Sequence, residues 1–285
     1  MRTQGRAGRF LRLLIVPLVL AGGLTGVASA ASAASCENWT GVPPPSPGST
    51  GNVLDGVALV SACDAWAVGF GSGGGSNQTL IEHWNGTAWT VVPAPSPGTA
   101  FSTLASVRAV SATDAWAVGS FSNGGGDQTL ILHWDGTSWQ QVPSPSPGFG
   151  ADLAAVGAAS TSNAWAAGAT DNGSADRTLI LHWNGSTWAQ TPSPNQGGAA
   201  AANSLNGVAA TSPTNAWAVG RSATGLVHMA LILHWDGTKW ARVPAPHPGT
   251  TSDLFAVAAA SANNAWAVGT FTGSGPAQAL ALHCC

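Results

Sequence analysis

Five histidines recur at one position of a repeating pattern: His83, His133, His182, His234 and His283. Imidazole binds metals and carries protons near neutral pH, so such a set invites a metal or proton-relay reading. Each belongs to a different copy of the pattern, however, and equivalent positions of separate modules do not converge on one ion. The expected role is a hydrogen bond inside each module. His228 and His247 fall outside the pattern and are expected in loops. A second set is Trp66, Trp116, Trp165, Trp217 and Trp266, each within Ala-Trp-Ala. Flat aromatic faces can stack on sugars, but they also dominate core packing, and packing is the expected role here. Charged residues form the third set. Asp55, Asp152 and Asp253 could hold Ca²⁺ or a polar ligand, and Asp127, Arg108, Arg177 and Arg221 join them as candidate ligand-binding residues. No catalytic residue and no resident metal is assigned, and no cofactor beyond that Ca²⁺ is expected.

These residues sit on a repeated scaffold. The Ala-Trp-Ala tryptophans are 50, 49, 52 and 49 residues apart. Each unit carries four apolar runs, here a to d. Run a is Leu-x-x-Val-x-Ala, as at Leu104, Val107 and Ala109. Run b is Ala-Trp-Ala-Val-Gly or a close variant, and run c ends in His-Trp, as in Leu130 to Trp134. Run d starts at a second tryptophan and stops at a proline, which has no N–H to donate to a sheet. Between c and d stands His-Trp-[Asn/Asp]-Gly, at Asn85-Gly86, Asp135-Gly136, Asn184-Gly185 and Asp236-Gly237. Such pairs between apolar runs predict hairpins with two-residue turns. A proline-rich link such as Pro93 to Gly98 then leads to the next run a.

Four short strands in a period of about 50 residues predict an all-β fold, a five-bladed β-propeller of four-stranded antiparallel blades. Small residues on strand a suit a crowded centre, and tryptophans on later strands suit diverging blades. Glu37 to Pro43 reads as an orphan strand d, while the last unit stops after strand c at Ala279 to His283. The N-terminal strand is expected to complete the C-terminal blade and so close the ring. A piece of a larger ring is the alternative. In a ring, the acids near strand a would line one mouth of the central channel.

Arg2, Arg6, Arg9 and Arg12 precede an apolar stretch from Leu13 to about Val27, and small residues follow at Ala28 to Ala34. This pattern predicts a signal peptide over residues 1–34, cleaved near 30–34, with a single repeat domain over 35–285. A secreted protein with no lasting membrane span is expected. Beyond that segment stand five basic residues against twelve acidic ones, a formal charge of −7. Nucleic acid is therefore not an expected partner. Cys36, Cys63, Cys284 and Cys285 make an even set, which in an exported chain suggests disulfides. In the repeat alignment Cys36 takes the place of Gly86, and Cys284 and Cys285 take those of Trp84 and Asn85. A bond from Cys36 to Cys284 or Cys285 would stand in for the missing turn of the composite blade. Cys63 could bond the remaining one.

Taken together, the Ala-Trp-Ala-Val-Gly strand, the Gly-rich loop, and the Trp-x-x-Val-Pro strand resemble a kelch repeat over residues 36–285. The pattern departs from it at the usual double glycine, here Gly69-Phe70 or Gly119-Ser120, and by Trp in place of Tyr. The hairpin is also similar to the Asp-box of sialidase-type propellers. Galactose-oxidase-like kelch enzymes need a Cys–Tyr cross-link and a Tyr copper ligand, and sialidases need a Tyr nucleophile with three arginines. The chain has no Tyr, which excludes both chemistries. The Gly-rich stretches Gly71 to Gly75 and Gly124 to Gly126 lack the following helix of a phosphate loop. The expectation is a secreted, non-catalytic, monomeric propeller. It would bind a glycan or an extracellular protein on the face of the d–a links and b–c loops. An extracellular hydrolase, lyase or oxidase of unrecognised type is the alternative.

Overall fold

The computed structural model describes residues 41–284. Each repeat folds into one antiparallel sheet in the order a-b-c-d. The first comprises Gly51–Ser61, Asp64–Gly73, Ser76–Trp84 and Trp89–Val91, and the second Phe101–Ser111, Asp114–Ser122, Gln128–Trp134 and Trp139–Gln141. The third has Gly150–Ser160, Asn163–Asp171, Asp176–Trp183 and Trp188–Gln190, and the fourth Ala202–Ser212, Asn215–Thr224, Val227–Trp235 and Trp240–Val243. The fifth has three strands among the described residues, Thr251–Ser261, Asn264–Thr272 and Gln278–Cys284. A single parallel bridge, Asn77 to Phe101, joins the first two sheets. Of the expected closing strand, Glu37 to Pro43, residues 37–40 lie outside the described residues, as do the signal segment, Cys36 and Cys285, and residues 41–43 are in no strand.

Apolar alternation on strands b and c explains the stacking. Leu130, Ile131 and Leu132 are all fully buried because strand c presents apolar side chains to a neighbour on each face. One core cluster joins Trp66, Val68 and Ile81 of the first sheet to Leu104, Leu130, Leu132 and Trp139 of the second. Equivalent clusters join the second sheet to the third and the third to the fourth. A smaller one joins the fourth to the fifth. Inner strands also touch directly: the Val156 N–H donates to Ser106 Oγ (3.3 Å), and Asn206 Nδ2 donates to the Leu254 carbonyl (2.8 Å). The sheets therefore follow one another face to face with strand a innermost.

The outer faces of the first and last sheets differ. On the first, Val57 and Leu59 are 68% and 75% exposed; on the last, Trp266 and Val268 are 50% and 46% exposed. Their counterparts Val107 and Trp116 are buried between sheets.

The c–d connections are hairpins with a tryptophan on each side, as expected, but the two-residue turn is corrected. Trp84 pairs with Trp89, leaving a four-residue loop, Asn85 to Ala88. The reason is the side chain at the first loop position. Asp135 Oδ1 accepts from the Thr137 hydroxyl (2.6 Å) and from the N–H groups of Thr137 (2.8 Å) and Ser138 (2.9 Å). It satisfies donors that a tight turn would have paired with backbone. The Thr137 hydroxyl and those two N–H groups hold the Asp135 carboxyl at about 2, far below its ordinary value. The side-chain oxygens of Asn85, Asn184 and Asp236 accept the equivalent hydroxyl bonds in the other hairpins. Only the glycine that follows needs positive φ, as Gly136 shows at 92°.

Candidate functional site

Two faces of the array carry different chemistry. The a–b and c–d turns share one face, where the Trp134 indole donates to the Ala112 carbonyl and Trp183 to that of Thr161, both at 3.1 Å. The proline links and b–c loops share the other, as expected. There the Thr99 N–H donates to Asn123 Oδ1 (2.9 Å), and Phe149 N–H to the Asp171 carbonyl (2.8 Å).

The repeated histidines serve their own sheets. Each lies against its Ala-Trp-Ala tryptophan, tilted in the first sheet and stacked in the other four, with ring centroids 4.4, 4.1, 4.0, 4.1 and 4.3 Å apart from the first sheet to the last. Each also bonds through Nε2 to the residue that opens strand b. His83 pairs with Asp64 at 2.8 Å, His133 with Asp114 at 3.2 Å, and His234 with Asn215 at 2.7 Å. His283 pairs with Asn264 at 3.3 Å, and His182 with Asn163 at 2.8 Å. Burial lowers the pKa of His182, and also that of His234, against the pull of Asp236. Both rings are therefore held neutral. The tryptophans are packing residues: Trp66 meets Trp139 edge-on at 5.1 Å, Trp116 meets Trp188 at 5.2 Å, and Trp165 meets Trp240 at 5.1 Å.

The candidate charged residues are only partly brought together. Asp253 accepts from Arg221 Nη1 (3.5 Å) and sits against His228 Nδ1 at 3.1 and 3.2 Å. His228 is thus a strand residue paired with the next sheet, which corrects its expected loop position. His247 does lie in a link, where its Nδ1 meets Ser252 Oγ at 3.1 Å. Asp152 gathers with Asp127 and Asp176. Desolvation of its carboxyl, then repulsion from those two carboxylates, raises its pKa. Arg177 is committed to the link ahead of the fourth sheet, donating to the carbonyls of Gly198, Ala199 and Ala201. Asp55 does not share the position of Asp152 and Asp253. It is the bulged residue after Leu54 and is exposed. Arg108 is exposed and enters no ion pair among the described residues. Among the described residues no disulfide forms, so the suggested pairing of Cys63 with Cys284 is not made. Pairing of either with Cys36 or Cys285 lies outside the described residues.

Two features escaped the sequence reading. The first is a groove that recurs in three sheets, where strand c, the end of strand d and the link meet. Its volumes are about 490, 390 and 530 Å³ in the first, second and third sheets. The second-sheet groove is lined by Phe121, Gln128, Gln141 and Pro143, and the third by Arg177, Gln190 and Pro192. One lashing shapes all three: the N–H groups of Thr79, Thr129 and Thr178 donate to Ser96 Oγ (3.1 Å), Ser146 Oγ (2.9 Å) and Asn195 Oδ1 (2.9 Å). The fourth repeat has Ala230 and His247 at these positions.

The second is Glu82. It stands where the other repeats have Leu132, Leu181, Leu233 and Leu282, so the departure was readable in the alignment. It is fully buried, and neither carboxylate oxygen has a hydrogen-bond partner among the described residues. Burial raises its pKa above 4.5. A carboxyl raised in the folded state supports the fold when protonated. That support is complete below its unfolded pKa and is lost as pH rises through the raised value. Glu82→Leu is expected to stabilise the fold by about 1–2 kcal/mol at neutral pH and by less near pH 4. Thermal melts at both pH values check this.

No protein-family model and no curated protein matches the chain. Solved structures do. The chain superposes on a fungal lectin from Aleuria aurantia, described as a six-bladed β-propeller with a novel fucose recognition mode. The TM-score is 0.51 at 15% identity, over 80% of this chain and 73% of the lectin. The fold is a β-propeller. YCF48 bound to D1 peptide is also similar, with a TM-score of 0.46 at 14% identity over 76% of this chain and 60% of that one. A GH74 xyloglucanase from Xanthomonas campestris gives 0.41 at 11% identity, over 75% and 44%. The chain thus spans 60% of the length of the first of these two and 44% of the second. Binding proteins and enzymes both appear, and at these identities the likeness speaks for the fold alone. It supports a propeller in general and not the kelch or galactose-oxidase family in particular. The repeated sheets are its blades, about five in number.

Proposed function

We propose that this chain is an exported, non-catalytic propeller on a kelch-like repeat, which binds a glycan or protein ligand on the face of its d–a links and b–c loops. The carrying observation is the groove that recurs in three successive blades on that face. In the second blade its lining is hydroxyls, carboxamides, one proline and one phenyl ring, a surface suited to a neutral, hydrogen-bonding ligand. Repetition offers up to three equivalent contacts, and linked weak contacts reach useful avidity. Export rests on the basic, apolar and small-residue segments of residues 1–34.

The disc is closed, in this reading, by Glu37 to Pro43 acting as strand d of the fifth blade, with Cys36 bonded to Cys284 or Cys285. The link that follows supports it. Gly48 N–H donates to Asn52 Oδ1 (2.8 Å), as Gly98 N–H donates to Ser102 Oγ (2.9 Å) where the first blade hands over to the second. The first blade thus receives a link of the kind that elsewhere arrives from a preceding strand d.

A glycan array, followed by titration calorimetry of any hit, tests the binding face. Gln128→Ala with Gln141→Ala removes two exposed groove amides and is expected to weaken a hit by roughly 5–10-fold per lost contact. Stability should stay within about 0.5 kcal/mol. A hit indifferent to these changes would place the ligand elsewhere.

A further inference from the structure

The contact between the fourth and fifth blades lacks a component that the preceding three possess. At each of those, the Ala-Trp-Ala tryptophan of one blade meets two tryptophans of the next. Trp66 meets Trp134 at 4.9 Å and Trp139 at 5.1 Å; Trp116 meets Trp183 at 4.9 Å and Trp188 at 5.2 Å; Trp165 meets Trp235 at 4.9 Å and Trp240 at 5.1 Å. Trp217 stacks only on His234 of its own blade among the described residues. Cys284 stands where the first of its two partners should be, and the fifth blade has no described strand d to supply the second.

A cavity of about 350 Å³ marks the place. Its walls include Trp217, Val219 and Ile232 from the fourth blade and Val257, Leu282 and Cys284 from the fifth. Their counterparts between the first and second blades, Trp66, Val68, Ile81, Val107, Leu132 and Trp134, belong to the cluster that encloses Trp139. The cavity therefore has the walls that a strand-d indole meets in the earlier blades.

The chain holds fourteen tryptophans. Five are in Ala-Trp-Ala and eight flank the four hairpins. The remaining one is Trp39, in the segment aligned with strand d, four residues ahead of a link already seated on the first blade. We infer that the cavity on Trp217 is the receptor for the indole of Trp39 of the same chain, set edge-on as Trp139 is set on Trp66. This deepens the closing-strand reading and rests on it. It makes the ring's closure a side-chain lock as well as a strand pairing, and it gives the N-terminal end of the exported domain a defined seat.

Free indole is the probe, applied to the full chain after removal of residues 1–34. If Trp39 fills the cavity, millimolar indole leaves the melting temperature of the unaltered protein unchanged. Trp39→Ala lowers that temperature by roughly 10 °C, and indole raises it again by several degrees, as ligands do for emptied apolar cavities. Should Trp39→Ala not fold, Trp39→Phe serves, together with nuclear Overhauser contacts between the Trp39 and Trp217 rings in the unaltered protein. Stabilisation of the unaltered protein by indole, an unchanged melting temperature in Trp39→Ala, or absent contacts in the monomer would overturn the inference. So would contacts that appear only in a swapped dimer. Hydrogen exchange separates it from the reading beneath. The Val92, Val142 and Thr191 N–H groups donate to the carbonyls of Ile81, Ile131 and Ile180, so the amide of Val42, their counterpart, should be protected if a strand pairs with Ala281. Protection with negative indole results sinks the lock alone; no protection sinks both.

Discussion

Trp165→Ala is expected to destabilise the protein by about 3–5 kcal/mol, a fall of roughly 10 °C in melting temperature. Trp165 is fully buried and is held by His182 at 4.0 Å, Trp235 at 4.9 Å and Trp240 at 5.1 Å. Truncation removes all three contacts and opens a space between two blades whose sheets are too stiff to collapse into it. Cost should appear mainly as faster unfolding if blades dock late, and denaturant chevrons would show which limb moves. Trp266→Ala is the informative companion. Trp266 is 50% exposed, and it has the Trp84 and Trp89 pair as its counterpart on the first blade. A closed disc buries it there, so its truncation should cost nearly as much as that of Trp165. A cost below about 1 kcal/mol, ordinary for a half-exposed side chain, would count against closure.

Much of this fold was legible because each repeat states its own pattern: alternation on strand b, an apolar run on strand c, a proline that stops strand d. The histidines were legible for the same reason, since Trp165 and His182 face each other in register within one sheet. Contacts between blades were not. His228 pairs with Asp253 across a boundary, and the choice depends on how far the c strand of the fourth blade extends past its neighbours'. The grooves combine strand, link and loop, so no linear motif announces them. The loop turns were misjudged because the Asn-Gly signal is shared. Whether its side chain or its backbone caps the turn is decided by the Thr or Ser two residues on, as at Asn85 and Thr87.

The glycine that ends Ala-Trp-Ala-Val-Gly carries the other large effect. Strand a bulges after its leucine in every blade, leaving Asp55, Ala105, Ala154, Asn206 and Phe255 out of the ladder. Opposite the bulge, the carbonyl before the leucine turns toward strand b. A Cβ on Gly168 would lie 2.0 Å from the Asp152 oxygen; the distance is also 2.0 Å at Gly119 and Gly220, and 1.9 Å at Gly69 and Gly269. The neighbour is backbone fixed by the ladder, so it cannot swing aside as a side chain would. Gly168 is not in the left-handed region, which makes the effect steric and not conformational. Gly168→Ala is expected to cost about 3 kcal/mol, the upper end for overpacking, because relief requires breaking the bulge register between Ala167 and Gly168. Gly125→Ala is the control: nothing lies within 4 Å of the added methyl, and the change should stay within about 0.5 kcal/mol. Urea midpoints for the pair decide the matter. Equal midpoints would mean that strand a yields without cost, and then the bulge would be a consequence of blade packing and not a condition of it.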